Sequence, residues 1–204
     1  MNINTMVQKR RIDAVEFAKK AGFQTCVELH TGLLIPQDSI RAFCEQNKCG
    51  FHGANYMCPP LVGTINEFKK KFAQYKSGVL LQYSENMPNR EYMSLKEKIA
   101  IYGKTRVRFH RKLLKVEDFF RNEGAIDVWG MMGGSCGLCK VCGAITGEPC
   151  RHPEQARCSV EATGIDVLGL LEKMGLDNRF HREKITWTGC ILAKDNTISL
   201  LMQQ

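Results

Sequence analysis

The sequence predicts an α+β fold in a single domain spanning residues 1–204, and three observations lead there. Segments with helical spacing and segments of strand character are mixed without the regular strand–helix–strand rhythm of a doubly wound sheet. The chain has 204 residues, the length of one domain with a cofactor-bearing elaboration. A Gly- and Cys-rich stretch at about 130–160 interrupts the periodic segments and reads as a metal-cluster loop.

The elements follow in order. Residues 4–22 place Ile12, Val15, Phe17 and Ala18 at helical spacing, with Gly22 as a stop. Residues 25–31 predict a short strand. A helix starting near Pro36 to Ser39 brings Cys44 close to its C-terminal end. An irregular stretch with Gly50, Gly53, Pro59 and Pro60 follows over 49–63. Thr64 with Glu67 three residues on is a capping-box pattern that opens a helix over 64–75. Residues 78–83 predict a buried strand, and residues 92–122 a long helix ended by Gly124. A strand is expected at 125–129, and two short helices at 153–163 and 166–174. The chain closes with two strands, 184–193 and 197–202, joined by a hairpin-like turn at Lys194-Asp195-Asn196.

With 44% hydrophobic and 25% charged residues, the chain can bury a core without cross-links, which makes its ten cysteines informative. The N-terminus lacks the apolar core and cleavage site of a signal peptide, and no apolar run is long enough to span a bilayer. The expectation is a cytoplasmic protein. In that reducing compartment such cysteines point to metal binding or thiol chemistry rather than disulfides. The formal charge of +8 is partly offset if thiolate-bound clusters are present, since a four-iron core on four thiolates carries about −2.

Cys136, Cys139 and Cys142 stand at two-residue gaps, with Cys150 eight positions later and Pro153 shortly after. Ferredoxin-type loops use this triple spacing to wrap a cuboidal 4Fe–4S cluster, and the intervening glycines let backbone N–H groups approach its sulfurs. A structural zinc site is the alternative, although zinc usually pairs two separated two-cysteine knuckles. A second set, Cys44, Cys49 and Cys58, precedes Pro59-Pro60. Three thiolates would leave one iron open to substrate or to another ligand such as His52, or the three are buried apolar residues. Cys26 and Cys190 read as core residues, and Cys158 as a spare thiol, a ligand or a packing residue.

These residues resemble a family of predicted metal-binding proteins catalogued as a domain of unknown function. The resemblance runs from about Cys26 to Leu200. It rests on Cys44…Cys49…Cys58-Pro-Pro, on Gly134-Ser-Cys136-Gly-Leu-Cys139-Lys-Val-Cys142, on Cys150-Arg-His-Pro-Glu-Gln-Ala-Arg157, and on Glu161-Ala-Thr-Gly-Ile-Asp-Val167. It implies that these seven cysteines are ligands. Where this chain has Cys158 the family usually has proline, which implies that Cys158 lies outside the shared site. Arg151, His152, Arg157 and Glu161 belong to the shared motif and are expected around the ligands. Arg151 and His152 would support the loop structurally, as would Arg157 and Glu161, or would donate to cluster sulfur or to an anionic ligand. Arg157 and Glu161, four apart on the expected helix, would form an ion pair.

The run Lys104, Arg106, Arg108, His110, Arg111, Lys112 and Lys115 is a solvated helix face, or a dock for an acidic redox partner or an anionic small molecule. Aromatics are not interleaved with it, which speaks against nucleic acid. No phosphate-binding loop and no dinucleotide fingerprint occurs. Three functions follow: a 4Fe–4S electron carrier or redox accessory protein with one or two clusters, an enzyme using an open iron at the second set, or a zinc-stabilised binding module. Whether the protein is an enzyme is left open.

Overall fold

The computed structural model describes residues 14–88 and 90–202. Among them are four antiparallel strands in the order β1-β2-β4-β3: β1 (Thr25–Glu28), β2 (Ser77–Asn86), β3 (Trp129–Met131) and β4 (Lys184–Ala193). The two long strands lie side by side at the centre, paired along their whole length from Ser77 with Ala193 to Asn86 with Lys184. Seven helices surround the sheet: α1 (Ala14–Ala21), α2 (Asp38–Glu45), α3 (Ile65–Phe72), α4 (Leu95–Asn122), α5 (Gly143–Thr146), α6 (Val167–Lys173) and α7 (Thr197–Met202). The fold is therefore α+β, as the mixed element pattern predicts.

Both faces of the sheet are covered, which is why residues 79–81 of β2 and 190–193 of β4 are continuous apolar runs rather than alternating ones. Val79, Leu81, Ile191 and Ala193 point to one face, where Phe109, Leu113, Val116 and Phe120 of α4 pack with Ala14 and Ala18 of α1 and Ile198 and Leu201 of α7. Leu80, Cys190 and Leu192 point to the other, under Phe68 and Phe72 of α3 and Leu170 and Leu171 of α6. Trp129 stacks on Phe68 at 6.3 Å between ring centroids, tying β3 to α3. No helix among the described residues is long and apolar enough to cross a membrane.

Both flanking helices of the site start where their sequences say. Thr64 and Glu67 make a reciprocal capping box at α3, and Ser94 and Glu97 do the same at α4. The N-terminal half of the first expected helix lies outside the described residues.

Three expectations are corrected. Residues 197–202 form a helix, not a strand. Asp195 accepts bonds from the Thr197 N–H at 3.3 Å and hydroxyl at 2.8 Å, and Ile198 and Leu201, three apart, bury one face. The strand expected at 125–129 is displaced to Trp129–Met131, because the chain first turns through Asp127 at φ +52°. Residues 153–163 are not a helix apart from a single 3-10 turn at Glu161–Thr163. Their backbone pairs instead with the extension of β3: Met132 N–H donates to Cys158 O at 2.9 Å and Val160 N–H to Met132 O at 3.0 Å.

Candidate metal centre

The loop from Gly130 to Arg157 is held against one face of α4. Arg106, His110 and Glu117 fall on a single stripe of that helix, at spacings of four and seven residues. Glu117 is fully buried and receives Arg157 through two bonds, Nε to Oε1 at 2.7 Å and Nη2 to Oε2 at 2.6 Å, with Arg121 adding a third at 3.0 Å. The expected pair of Arg157 with Glu161 does not form, because the chain between them is extended rather than helical. The glycine at 130 makes room: a Cβ there would stand 1.9 Å from Glu117 Oε1. His110 is also fully buried, with Nε2 at 2.8 Å from Gln155 O and Nδ1 without a partner among the described residues. Burial holds its pKa below the ordinary histidine value, so it is a neutral imidazole donating from Nε2.

Further along, the loop lies flat on Trp187, whose indole N–H donates to Thr105 of α4 at 3.0 Å. At Gly134, φ is +72° and a Cβ would approach the indole to 3.0 Å, so glycine is required twice over.

This scaffold brings Cys136, Cys139, Cys142 and Cys150 to the lining of one small pocket of ≈ 20 Å³, completed by Asn55, Tyr56, Met57, Leu138, His152 and Ala156. All four cysteines are half-buried. The backbone at Leu138 and Arg157 lies close enough to the Cys136 sulfur, and the Arg151 guanidinium close enough to that of Cys139, to favour the thiolate form. Arg151 also holds Glu148 and, at 3.0 Å, the carbonyl of Val141. N–H groups close to sulfur suit a thiolate ligand, since they stabilise its charge and set its basicity. Burial raises the Cys136 thiol above its ordinary value, against these groups, so a metal that binds there must displace its proton.

The second set gathers beside the first. Cys58 is buried, Cys44 half-buried and Cys49 exposed. Cys58 is close enough to Cys49, Cys44 and Cys136 for their charges to act on it, and with burial as the larger cause its pKa is pushed up to about 12. The two loops are joined directly. Asn55 Nδ2 donates to Cys136 O at 2.9 Å across 81 residues of sequence, and the Tyr56 hydroxyl donates to Glu148 O at 2.7 Å. Around the second set lie two charged groups that form no salt bridge among the described residues. Arg41 is buried and donates to the carbonyls of Ala162, at 2.7 Å, and Gly63. Glu161 has a buried Oε2 without a hydrogen-bond partner among the described residues, and burial raises its pKa.

In chemistry the donor set is that of a sulfur-ligated group, with four cysteines lining one pocket. Among the described residues no three His, Cys, Asp or Glu side chains are arranged to hold a single metal ion. No disulfide joins any of the ten cysteines. Cys26, Cys158 and Cys190 are buried in the two cores and do not line the pocket, although Cys158 is close enough to Cys58 for its charge to act there. His52 stays on its own loop, its backbone N–H bonded to Asn47 at 3.0 Å. A wider groove of ≈ 1170 Å³, lined by Asn86, Arg90, Lys98, His181 and Lys184 among others, holds no cysteine, so cavity size alone does not mark the candidate site.

Sequence reasoning missed Arg106, His110 and Glu117. The first two were counted in a solvated basic face, which holds for Lys104, Arg108, Arg111 and Lys115 only. Their signal is a polar stripe at helical spacing among Phe109, Leu113, Val116 and Phe120.

Folded around a cysteine-lined pocket in this way, the chain falls in the class of metal-binding α+β proteins. It belongs to the family described as "Predicted metal-binding protein (DUF2284)", whose model matches residues 27–193. No curated protein and no solved structure matches it.

Proposed function

We propose that the protein is an iron–sulfur protein that carries electrons or serves another redox enzyme, with Cys136, Cys139, Cys142 and Cys150 as ligands of a 4Fe–4S cluster. The observation that carries this reading is the pocket shared by all four cysteines, with the backbone at Leu138 and Arg157 close to the Cys136 sulfur. A bound cluster supplies one-electron transfer. The chain's own contribution is to shield the sulfurs in part, place Arg151 and the loop backbone beside them, and lock the loop to α4 through Arg157 and Glu117.

Cys44, Cys49 and Cys58 are proposed as ligands of a second centre. Their nearness to Cys136 supports an enzymatic variant of the reading, in which an open iron at the second set meets a small substrate beside its electron source. Exposed Lys104, Arg111 and Lys115 on α4 suit an acidic partner protein or an anionic small molecule, and the protein is placed in the cytoplasm on its cysteine usage.

Iron, zinc and acid-labile sulfide measured on protein purified without oxygen test this directly. The two-centre reading expects about eight iron and eight sulfide per chain, and a single centre about four. Stoichiometric zinc without sulfide would contradict it and leave a zinc-stabilised module.

A further inference from the structure

Arg106 sits where the two cysteine regions meet. Its Nη1 donates to Ser135 Oγ at 2.6 Å, and its guanidinium lies 5.1 Å from the centroid of the Phe51 ring. Ser135 immediately precedes Cys136, and Phe51 lies in the loop between Cys49 and Cys58, so one side chain touches both regions. The Nε is buried and without a hydrogen-bond partner among the described residues. No carboxylate among the described residues forms an ion pair with Arg106; the groups whose negative charge would act on it are Cys136, Cys58 and Cys49.

The loop is also cleared around it. A Cβ at Gly137 would stand 3.1 Å from Nη2 and 3.2 Å from Nε, and one at Gly134 would stand 3.3 Å from Cδ. A half-buried cation with an unused N–H is costly unless an anion completes it. Metal-bound thiolates on either side would supply that anion. Two such centres carry negative charge into neighbouring space, where the interior dielectric screens them poorly.

We propose that Arg106 is the cation shared by the two metal–thiolate centres, a positioning residue that donates to ligand sulfur and offsets the charge of both. The assignment rests on the reading of both cysteine sets as metal ligands, and it holds for iron or zinc alike. Lysine would keep the charge but lose the rigid fork that reaches two loops at once.

The test is release of bound metal to a chelator from the full chain, purified without oxygen, with iron, zinc and sulfide assayed on the same samples. Arg106→Gln is expected to hold metal about tenfold more weakly, the size of loss seen when groups that support ligands are removed. Arg106→Lys should fall between it and the parent. The weakening should appear in both the Cys142→Ser and the Cys58→Ser backgrounds, each of which retains one centre. Ser135→Ala, which removes only the Nη1 anchor, should show a smaller weakening and decides the matter if Arg106→Gln does not fold. Parent-like release from folded Arg106→Gln, or from Ser135→Ala when Arg106→Gln is unfolded, would overturn the proposal. Zinc without sulfide would overturn the iron–sulfur reading alone, with Arg106 still judged by release. A parent protein without any bound metal would overturn both.

Discussion

The two cysteine regions differ in how firmly the fold holds them. The loop of Cys136 to Cys150 is fastened to the core at several points: Arg157 on buried Glu117, Gly134 against Trp187, and residues 158–160 paired with the extension of β3. Its sulfurs share one pocket. The region of Cys44 to Cys58 draws one cysteine from the end of α2, leaves Cys49 exposed, and leans on the first loop through Asn55 and Tyr56. A preorganised site and a dependent one thus lie side by side. On the proposed reading the first would hold its group permanently, and the second would have the adaptability expected where something must enter or leave.

The sharpest way to break this comparison is to remove one thiol from each set. Cys142→Ser should abolish metal in the pocket, whereas Cys49→Ser should leave that metal in place and remove only the metal of the second set. Metal analysis with visible spectra of both variants checks it. Equal losses from the two variants would mean a single shared centre.

Next in size is the anchor. Glu117→Ala leaves the Arg157 guanidinium without its carboxylate partner in a buried place, a change that costs about 3–5 kcal/mol. Urea unfolding of the metal-free chain should register that loss, and pocket metal should be lost with it. Gly130→Ala attacks the same joint more gently, forcing Glu117 to shift, with about 1–3 kcal/mol expected from overpacking. Unfolding midpoints rank the two.

A smaller effect concerns His110. Its folded pKa lies below the ordinary value of about 6.5, so the unfolded chain binds the proton more readily. The contribution of a neutral His110 is complete above that value and is lost as the pH falls below it. Urea midpoints compared between pH 7.5 and pH 5.5 should therefore drop in the parent, and drop less in His110→Gln.

Much of this architecture is legible in the sequence. The Thr64–Glu67 capping box, the apolar runs of β2 and β4, and the glycine after α4 each act locally, so spacing reveals them. Residues 197–202 were misread because a short apolar run with β-branched members suits a strand as well as a helix, and the Asp195 cap decided between them. Residues 153–163 were misread because their hydrogen bonds go to Met132, a partner that local spacing does not reveal. The cysteine spacing marked each group of cysteines as a candidate but not their meeting, which depends on Asn55 reaching Cys136 across the fold. Arg106 and His110 were hidden for a further reason. On a helix rich in lysine and arginine, composition does not distinguish the residues that turn inward from those that stay in water.

The measurement that bears most directly on the central claim is anomalous X-ray diffraction at the iron and zinc edges from crystals grown without oxygen. The account predicts a strong metal peak inside the pocket bounded by Cys136, Cys139, Cys142 and Cys150, and a second peak among Cys44, Cys49 and Cys58. A metal bound away from these sulfurs, or a pocket without any metal in fully loaded protein, would contradict it.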